Sequence, residues 1–210
     1  LKEEIELKLL IQPQLIEKLI NSSFFRRLNA KKENKQLENT YFDTDNGLLQ
    51  CEKIALRIRK DGNDYIQTLK TKGKCEKGLH KRLEWEWPLD SNNLNTALIP
   101  TEHWPSAIEY KKLKPIFNTH FQRKIWLFEH QDKQGNVAKI EMALDQGDIS
   151  SDFSANTEVI CELELELISG NVNVLNEVAY LLKKECPSLT PSDESKAARG
   201  FALIKNATKH

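Results

Sequence analysis

Glutamates alternate with aliphatic residues near both ends of this sequence. Glu4 and Glu6 alternate with Ile5 and Leu7, and Lys8 follows on the same side. Glu162, Glu164 and Glu166 alternate in the same way with Leu163 and Leu165. Residues two apart on a strand point the same way, so each run carries its carboxylates on one face, with Cβ atoms roughly 7 Å apart. Carboxylates at that spacing repel one another unless a cation joins them. A hard divalent ion such as Mg²⁺ does so, because it favours a few carboxylates together with water and phosphate oxygens. Other segments alternate with the opposite sign: Arg57 with Arg59, Lys70 with Lys72, and Arg82 beside Glu84 and Glu86. Arginine forks and lysine point charges are the usual partners of phosphate oxygens. Together these residues are suited to holding a polyanion and a divalent metal at once.

The elements that must position these residues are strands. Glu3–Ile11 alternates throughout, the pattern of a half-buried strand. Pro13 predicts an amphipathic helix reaching about Ala30, with Leu15, Ile16, Leu19, Ile20 and Phe24 at helical spacing. The polar stretch Lys31–Gln36 reads as a loop. Strands are predicted over Leu37–Asp43, Ile54–Lys60, Tyr65–Lys72, Leu79–Leu89, Pro115–His130, Val137–Asp145 and Val159–Ser169. Asp45-Asn46-Gly47 is a turn, and Asn92–Tyr110 reads as short helices around Pro100 and Pro105. Asn173–Cys186 is a second amphipathic helix and Ser195–Ile204 a short final one. About eight hairpin-linked strands with helices near both ends make an α+β fold built on an antiparallel sheet. A solvated face explains one charged strand, but less well the same segregation on strand after strand. Eight strands can close into a barrel. With the charged faces inward, acids and bases share one lumen and the helices cover the aliphatic outside.

Trp85 and Trp87 have the opposite parity to Glu84 and Glu86, which predicts outer-face packing. Trp104 and Trp126 read as packing residues, His80 as structural or exposed, and Cys161 as a buried thiol on the aliphatic face.

The 31 Lys and Arg balance 31 Asp and Glu in 210 residues, which disfavours a strongly basic nucleic-acid-binding domain. Mean hydropathy is −0.58. No apolar run reaches the ~18 residues of a membrane span, and Glu4, Glu6 and Lys8 interrupt any signal-peptide core. No membrane or nucleic-acid partner is expected. Cys51, Cys75, Cys161 and Cys186 are too scattered for a zinc site, and free thiols suit a reducing cytoplasm. The sequence starts at Leu1 and its one methionine is Met142, so residues or a further domain beyond it are expected.

The ordered motifs resemble one family. Glu4-Ile5-Glu6-Leu7-Lys8 is similar to the ExExK signature of the CYTH domain, or triphosphate tunnel metalloenzymes. Its companions follow in the family order: Tyr41-Phe42-Asp43-Thr44, Leu56-Arg57-Ile58-Arg59, Thr68-Leu69-Lys70, Arg82-Leu83-Glu84, Glu141 with Leu144-Asp145-Gln146-Gly147, Glu162–Glu166 and Ser195–Gly200. Gly78-Leu79-His80, Cys161–Leu167 and Ser195–Gly200 most resemble the bacterial inorganic triphosphatase branch. Many members of that branch carry a C-terminal helical CHAD domain, which this sequence, ending at His210, does not include.

The resemblance implies a single tunnel domain over residues 1–210, an eight-stranded antiparallel barrel with flanking helices. It implies phosphate binding by Lys8, Arg57, Arg59, Lys70, Arg82, Arg123 and Lys196. It implies Mg²⁺ or Mn²⁺ on acids drawn from Glu4, Glu6, Glu84, Glu141, Asp145, Glu162, Glu164 and Glu166. The family motif has two late-strand glutamates where this strand has three. Some members have a lysine two residues before the Arg123 position, where Phe121 stands here. Glu6, Lys8 and Tyr41 are the candidate catalytic residues; a second metal is one way to activate water, and Lys8 with Tyr41 is another. The implied reaction is hydrolysis of inorganic tripolyphosphate to pyrophosphate and phosphate. The competing readings are an organic triphosphate enzyme on the same tunnel (thiamine triphosphatase, nucleoside triphosphatase or class IV adenylate cyclase) and a non-catalytic polyphosphate-binding module. Oligomeric state is not legible.

Overall fold

The computed structural model describes residues 1–207. Ten strands form one antiparallel sheet: β1 (Lys2–Leu10), β2 (Lys31–Asp43), β3 (Ala55–Asp61), β4 (Asp64–Lys70), β5 (Lys74–Glu76), β6 (Leu79–Leu89), β7 (Lys114–Gln131), β8 (Val137–Ser151), β9 (Ser154–Gly170) and β10 (Thr190–Pro191). The order runs β10-β1-β9-β8-β7-β2-β3-β4-β6-β5, and β1 also pairs with β6. That last pairing closes β1, β9, β8, β7, β2, β3, β4 and β6 into an eight-stranded barrel. The short β5 and β10 are attached at its rim.

Strand alternation then sorts the side chains. Leu7 and Leu9 of β1, Ile140 and Met142 of β8, and Leu163 and Leu165 of β9 face outward. They pack against α1 (Ile16–Ile20), α2 (Ser23–Arg27) and α4 (Asn173–Glu185). Leu56, Ile58, Leu69 and Trp85 face outward on the other side, under α3 (Leu48–Cys51) and three 3₁₀ turns within Thr96–Lys112. Burying these faces removes apolar surface from water, worth about 25 cal/mol per Å². A third apolar cluster lies inside the barrel. Leu37, Tyr41, Phe117, Phe121, Ile149 and Ile160 meet Ala197 and Phe201 of α5 (Lys196–Ala207). The final helix therefore plugs one end of the barrel and leaves the charged part of the lumen beyond it.

Several predicted boundaries move. Lys31–Gln36 is not a loop but the first half of β2, paired residue for residue with Lys124–Leu127, Arg123 and Gln122 of β7. Its polar composition reflects exposure, while the backbone ladder supplies its hydrogen bonds. The predicted Pro13–Ala30 helix is three pieces. Asn21 Nδ2 donates to the Glu17 carbonyl oxygen at 2.9 Å, and Ser22 is extended at ψ 168°, so the helix stops and restarts there. β8 and β9 are longer than predicted and meet at a tight turn near Ser151–Ser154, in a stretch whose Gly, Asp and Ser content resembles a loop. The β4 strand ends at Lys70, which leaves Lys72 outside the barrel wall. Among the described residues no helix is long and apolar enough to cross a membrane. Cys51 and Cys75 are exposed free thiols, and Cys161 and Cys186 buried ones.

Candidate active site

The lumen is a cavity of about 290 Å³ lined largely by charge. Each of the eight barrel strands contributes through its inward parity. β1 brings Lys2, Glu4, Glu6 and Lys8, β3 brings Arg57 and Arg59, and β4 brings Lys70. β6 brings Arg82, Glu84 and Glu86, β7 Arg123, β8 Glu141, and β9 Glu164 and Glu166. Tyr41 of β2 and Lys196 of α5 complete the wall.

Strand register sets acids beside bases. Glu4 stands opposite Arg82, and its carboxylate accepts from Arg82 Nε at 2.7 Å and from Lys70 Nζ at 2.6 Å. Arg82 also donates to Glu6 at 2.9 Å, and Lys70 lies 3.0 Å from Glu84. Burial would push the Glu4 carboxyl up, but Lys70 and Arg82 outweigh it and hold Glu4 well below the usual range. Arg123 forks onto Asp145 at 2.8 and 2.7 Å and reaches Glu164 at 2.6 Å.

Deeper, Lys196 Nζ lies 2.6 Å from Asp145, 2.5 Å from Glu162 and 3.0 Å from Glu164. Lys8 lies 3.4 Å from Glu162 and 3.2 Å from Glu164. Burial disfavours charge on both lysines, but the surrounding carboxylates raise them above the ordinary lysine value. Asp145 and Glu162 are fully buried and sit behind Lys196 rather than on the cavity wall. Of the three late-strand glutamates, Glu164 and Glu166 line the cavity, while Glu162 is shared by Lys8, Lys196 and Arg199.

Two groups depart from this pattern, although Glu6 keeps its bond to Arg82 and Glu166 its ion pair with Lys2. Glu6, Glu166 and Glu141 stand directly opposite one another on β1, β9 and β8. Like charges in register destabilise a sheet, and burial pushes the Glu166 carboxyl up, with the Lys2 hydrogen bond opposing. Arg57 and Arg59 are the converse. Among the described residues neither has a carboxylate partner. Arg59 Nε donates to Asn39 Oδ1 at 3.0 Å, Arg57 reaches only the Tyr41 hydroxyl at 3.4 Å, and buried Arg57 Nε has no hydrogen-bond partner. Burial, with repulsion from Arg57 and Arg123, brings Arg59 down to about 10. Tyr41 stacks on Phe117 at 4.5 Å. Burial raises its hydroxyl, but Arg57 and its neighbours bring it below the ordinary tyrosine value.

The donor set fits a hard divalent cation. The oxygens of Asp145, Glu162 and Glu164 come within 4.8 Å of one another, but Lys8, Arg123 and Lys196 already neutralise them. The register row Glu6, Glu141 and Glu166 is less compensated.

Lys2, Glu86 and Arg199 complete the charged network without having been assigned a role from the sequence. Glu86 was legible from its alternation with Glu84, and Arg199 lies within the Ser195–Gly200 motif; Lys2 shares parity with Glu4, so alternation alone could have found it. Arg199 lies one helical turn after Lys196 and reaches Glu162 at 3.0 Å. His80 is buried, with Nε2 3.0 Å from the Ser192 carbonyl oxygen. Trp85 packs on the outer face against His103, and Trp104 Nε1 donates to the Ile108 carbonyl oxygen.

Comparison with known proteins agrees with this architecture. The chain is 40% identical over 207 residues to an inorganic triphosphatase of Haemophilus influenzae, covering 96% of this chain and 55% of that protein. It thus spans about half the length of that curated relative. Among solved structures, a Hippeastrum protein described as revealing a dominant triphosphatase activity has a TM-score of 0.62 at 18% identity, covering 97% of this chain and 95% of that one. A Pyrococcus horikoshii protein has a TM-score of 0.59 at 16% identity, covering 95% and 98%. These two likenesses concern the fold. The CYTH domain model matches residues 2–201, and with the closed, charge-lined barrel this places the chain in the CYTH domain family.

Proposed function

We propose that this tunnel hydrolyses inorganic tripolyphosphate to pyrophosphate and phosphate with the help of Mg²⁺ or Mn²⁺. The observation that carries the reading is the pair Arg57 and Arg59, cations facing the lumen without a carboxylate partner among the described residues. Glu84 and Glu86 act on these arginines only from beyond ion-pair distance, and an anion entering the lumen supplies the direct partner that a buried charge calls for. The acid row Glu6, Glu166 and Glu141 asks for a cation in the same space. A metal-bound polyphosphate answers both. The identity with an inorganic triphosphatase supports this choice of substrate.

Glu6, Glu141 and Glu166 would hold the metal, with Glu4, Glu84 and Glu164 beside them. When bound, a divalent ion neutralises phosphate oxygens and acidifies water. Arg57, Arg59 and Arg123 hold phosphate oxygens as forks and fix the chain's orientation. Lys70, Arg82, Lys8 and Lys196 add point charges that stabilise charge developing on the leaving phosphate. Asp145 and Glu162 position Lys196 and Arg123. Lys8, set between two carboxylates, serves as a charge rather than as a proton acceptor. The Tyr41 hydroxyl, fixed by its stack on Phe117, is placed to hydrogen-bond a phosphate oxygen beside Arg57.

Phosphate release from tripolyphosphate, ATP and thiamine triphosphate, each with Mg²⁺ and with EDTA, tests the proposal. Metal-dependent preference for tripolyphosphate, silenced by EDTA, is expected. Equal or better turnover of an organic triphosphate would overturn the substrate, and turnover undiminished by EDTA would overturn the metal.

A further inference from the structure

The lumen cations follow a rule of register that the β3 arginines break. Lys8 stands directly opposite Glu164, Lys70 opposite Glu84, Arg82 opposite Glu4 and Arg123 opposite Asp145. In each case the two side chains meet, at 3.2, 3.0, 2.7 and 2.7 Å. Opposite charges placed this way stabilise a sheet. Arg57 instead faces Tyr41 and Thr68, and Arg59 faces Asn39 on β2 and Ile66 on β4. Beyond Asn39 the row continues through Thr119 of β7 to Ile149 of β8. Five adjacent strands therefore carry a row with one cation and no acid.

Asn39 occupies the place where the other rows put a carboxylate. Its side chain has the shape of an aspartate, so space does not explain the amide. Through Oδ1 it accepts the Arg59 Nε–H at 3.0 Å, as a carboxylate would, without adding a negative charge. Its orientation is set from the other side, where Nδ2 donates to Thr119 Oγ1 at 2.9 Å. Reversed, the amide would turn a donor towards the Arg59 donor. Asn39 and Thr119 are 2% and 0% exposed, so water does not compete for these bonds. The tether matters because Arg57 and Arg123 both repel Arg59. Asn39 lies behind the cavity wall rather than on it, so whatever it does for a ligand it does through Arg59.

We propose that Asn39 is a positioning residue for substrate binding, one that holds the Arg59 guanidinium in place while leaving its charge to a phosphate group, and that Thr119 fixes the amide in the orientation this requires. The identity of that phosphate group rests on the tripolyphosphatase reading.

Calorimetric titration with tripolyphosphate in EDTA tests this without turnover, and thermal melting followed by circular dichroism reports the fold. Asn39→Asp keeps the size and the acceptor but pairs Arg59 with a carboxylate. Asn39→Ala removes the acceptor and adds no charge. For a purely structural amide, Asn39→Ala would be the more damaging change in both stability and binding. The opposite order is expected for binding: Asn39→Asp weakens tripolyphosphate affinity by about tenfold or more, the scale of a hydrogen bond to a charged group, and more than Asn39→Ala does, although Asn39→Ala melts lower. In steady state Asn39→Asp should raise KM with a smaller change in kcat. Thr119→Val should weaken binding less than Asn39→Asp does. In an Arg59→Ala chain, Asn39→Ala should add no further loss, because nothing remains to be positioned. Asn39→Asp binding as tightly as the wild type, or more tightly than Asn39→Ala, would overturn the proposal. So would an Asn39→Ala loss that is equal with and without Arg59. Arg59→Ala binding tripolyphosphate as tightly as the wild type would instead overturn the reading on which the proposal rests.

Discussion

Arg59 is held at the lumen by a neutral partner, Asn39, which is itself fixed by donating to Thr119 Oγ1 at 2.9 Å. A guanidinium so held keeps its charge for a ligand instead of spending it on a neighbour. Hydrogen bonds to charged groups contribute about 1.5–3 kcal/mol. Arg59→Ala is therefore expected to raise KM for tripolyphosphate at least tenfold with a smaller change in kcat, measured by steady-state phosphate release. An unchanged KM would remove Arg59 from substrate binding. At this scale the sequence was informative, because alternation with period two assigns each strand residue to one face. Arg57, Arg59, Lys70, Arg82 and Glu84 all lie on the side that parity predicts. Asn39 was not legible, since an uncharged amide on a strand carries no signal until its cross-strand partner is known. Nor was the burial of Glu162 away from the cavity. All three late-strand glutamates share a parity, and only the arrival of Lys196 and Arg199 from α5 distinguishes them.

Among the elements, α5 does the most to shape the site. It carries Lys196 into the lumen and Phe201 against Phe117 at 5.3 Å. Gly200 makes that approach possible, because a Cβ there would lie 2.3 Å from the Phe117 ring. Gly200→Ala is expected to destabilise the fold by about 1–3 kcal/mol through overpacking and to lower activity by shifting Lys196. Urea denaturation and turnover would check it, and Phe117→Leu in the same chain should restore part of both. A stability equal to the wild type would show that the helix seats less closely than described. The helix was legible in the sequence, but its seat inside the barrel was not. Its apolar residues resemble those of any surface helix, and the inward-facing Leu37, Phe117, Phe121 and Ile160 resemble ordinary core. The polar half of β2 and the turn joining β8 to β9 were hidden for a related reason. Their strands are held by backbone ladders, and composition does not report those.

At the scale of the molecule, closure depends on β1, which pairs with β6 on one side and β9 on the other. Contacts so distant in sequence must form together, which slows folding and couples the two walls. Urea unfolding followed by far-ultraviolet circular dichroism and by tryptophan fluorescence should therefore give coincident single transitions. Trp85 reports one wall and Trp126 the other, so separated midpoints would show the walls unfolding independently. The barrel itself followed from eight strands with segregated faces, whereas its rim strands β5 and β10, two or three residues each, were too short to carry a pattern.

The ion pairs inside the lumen also make the tunnel resemble a mixed-bed ion exchanger. Lys70, Arg82, Arg123 and Lys196 hold carboxylates of the chain itself as resident counter-ions. An anion that engages these four cations must displace those carboxylates, and a displaced carboxylate needs a cation of its own. Chloride brings one charge and no geometry, so it exchanges poorly. On the proposed reading, a polyvalent anion arriving with a divalent metal trades both partners in one step, and the lumen would select its occupant by valence before shape is consulted.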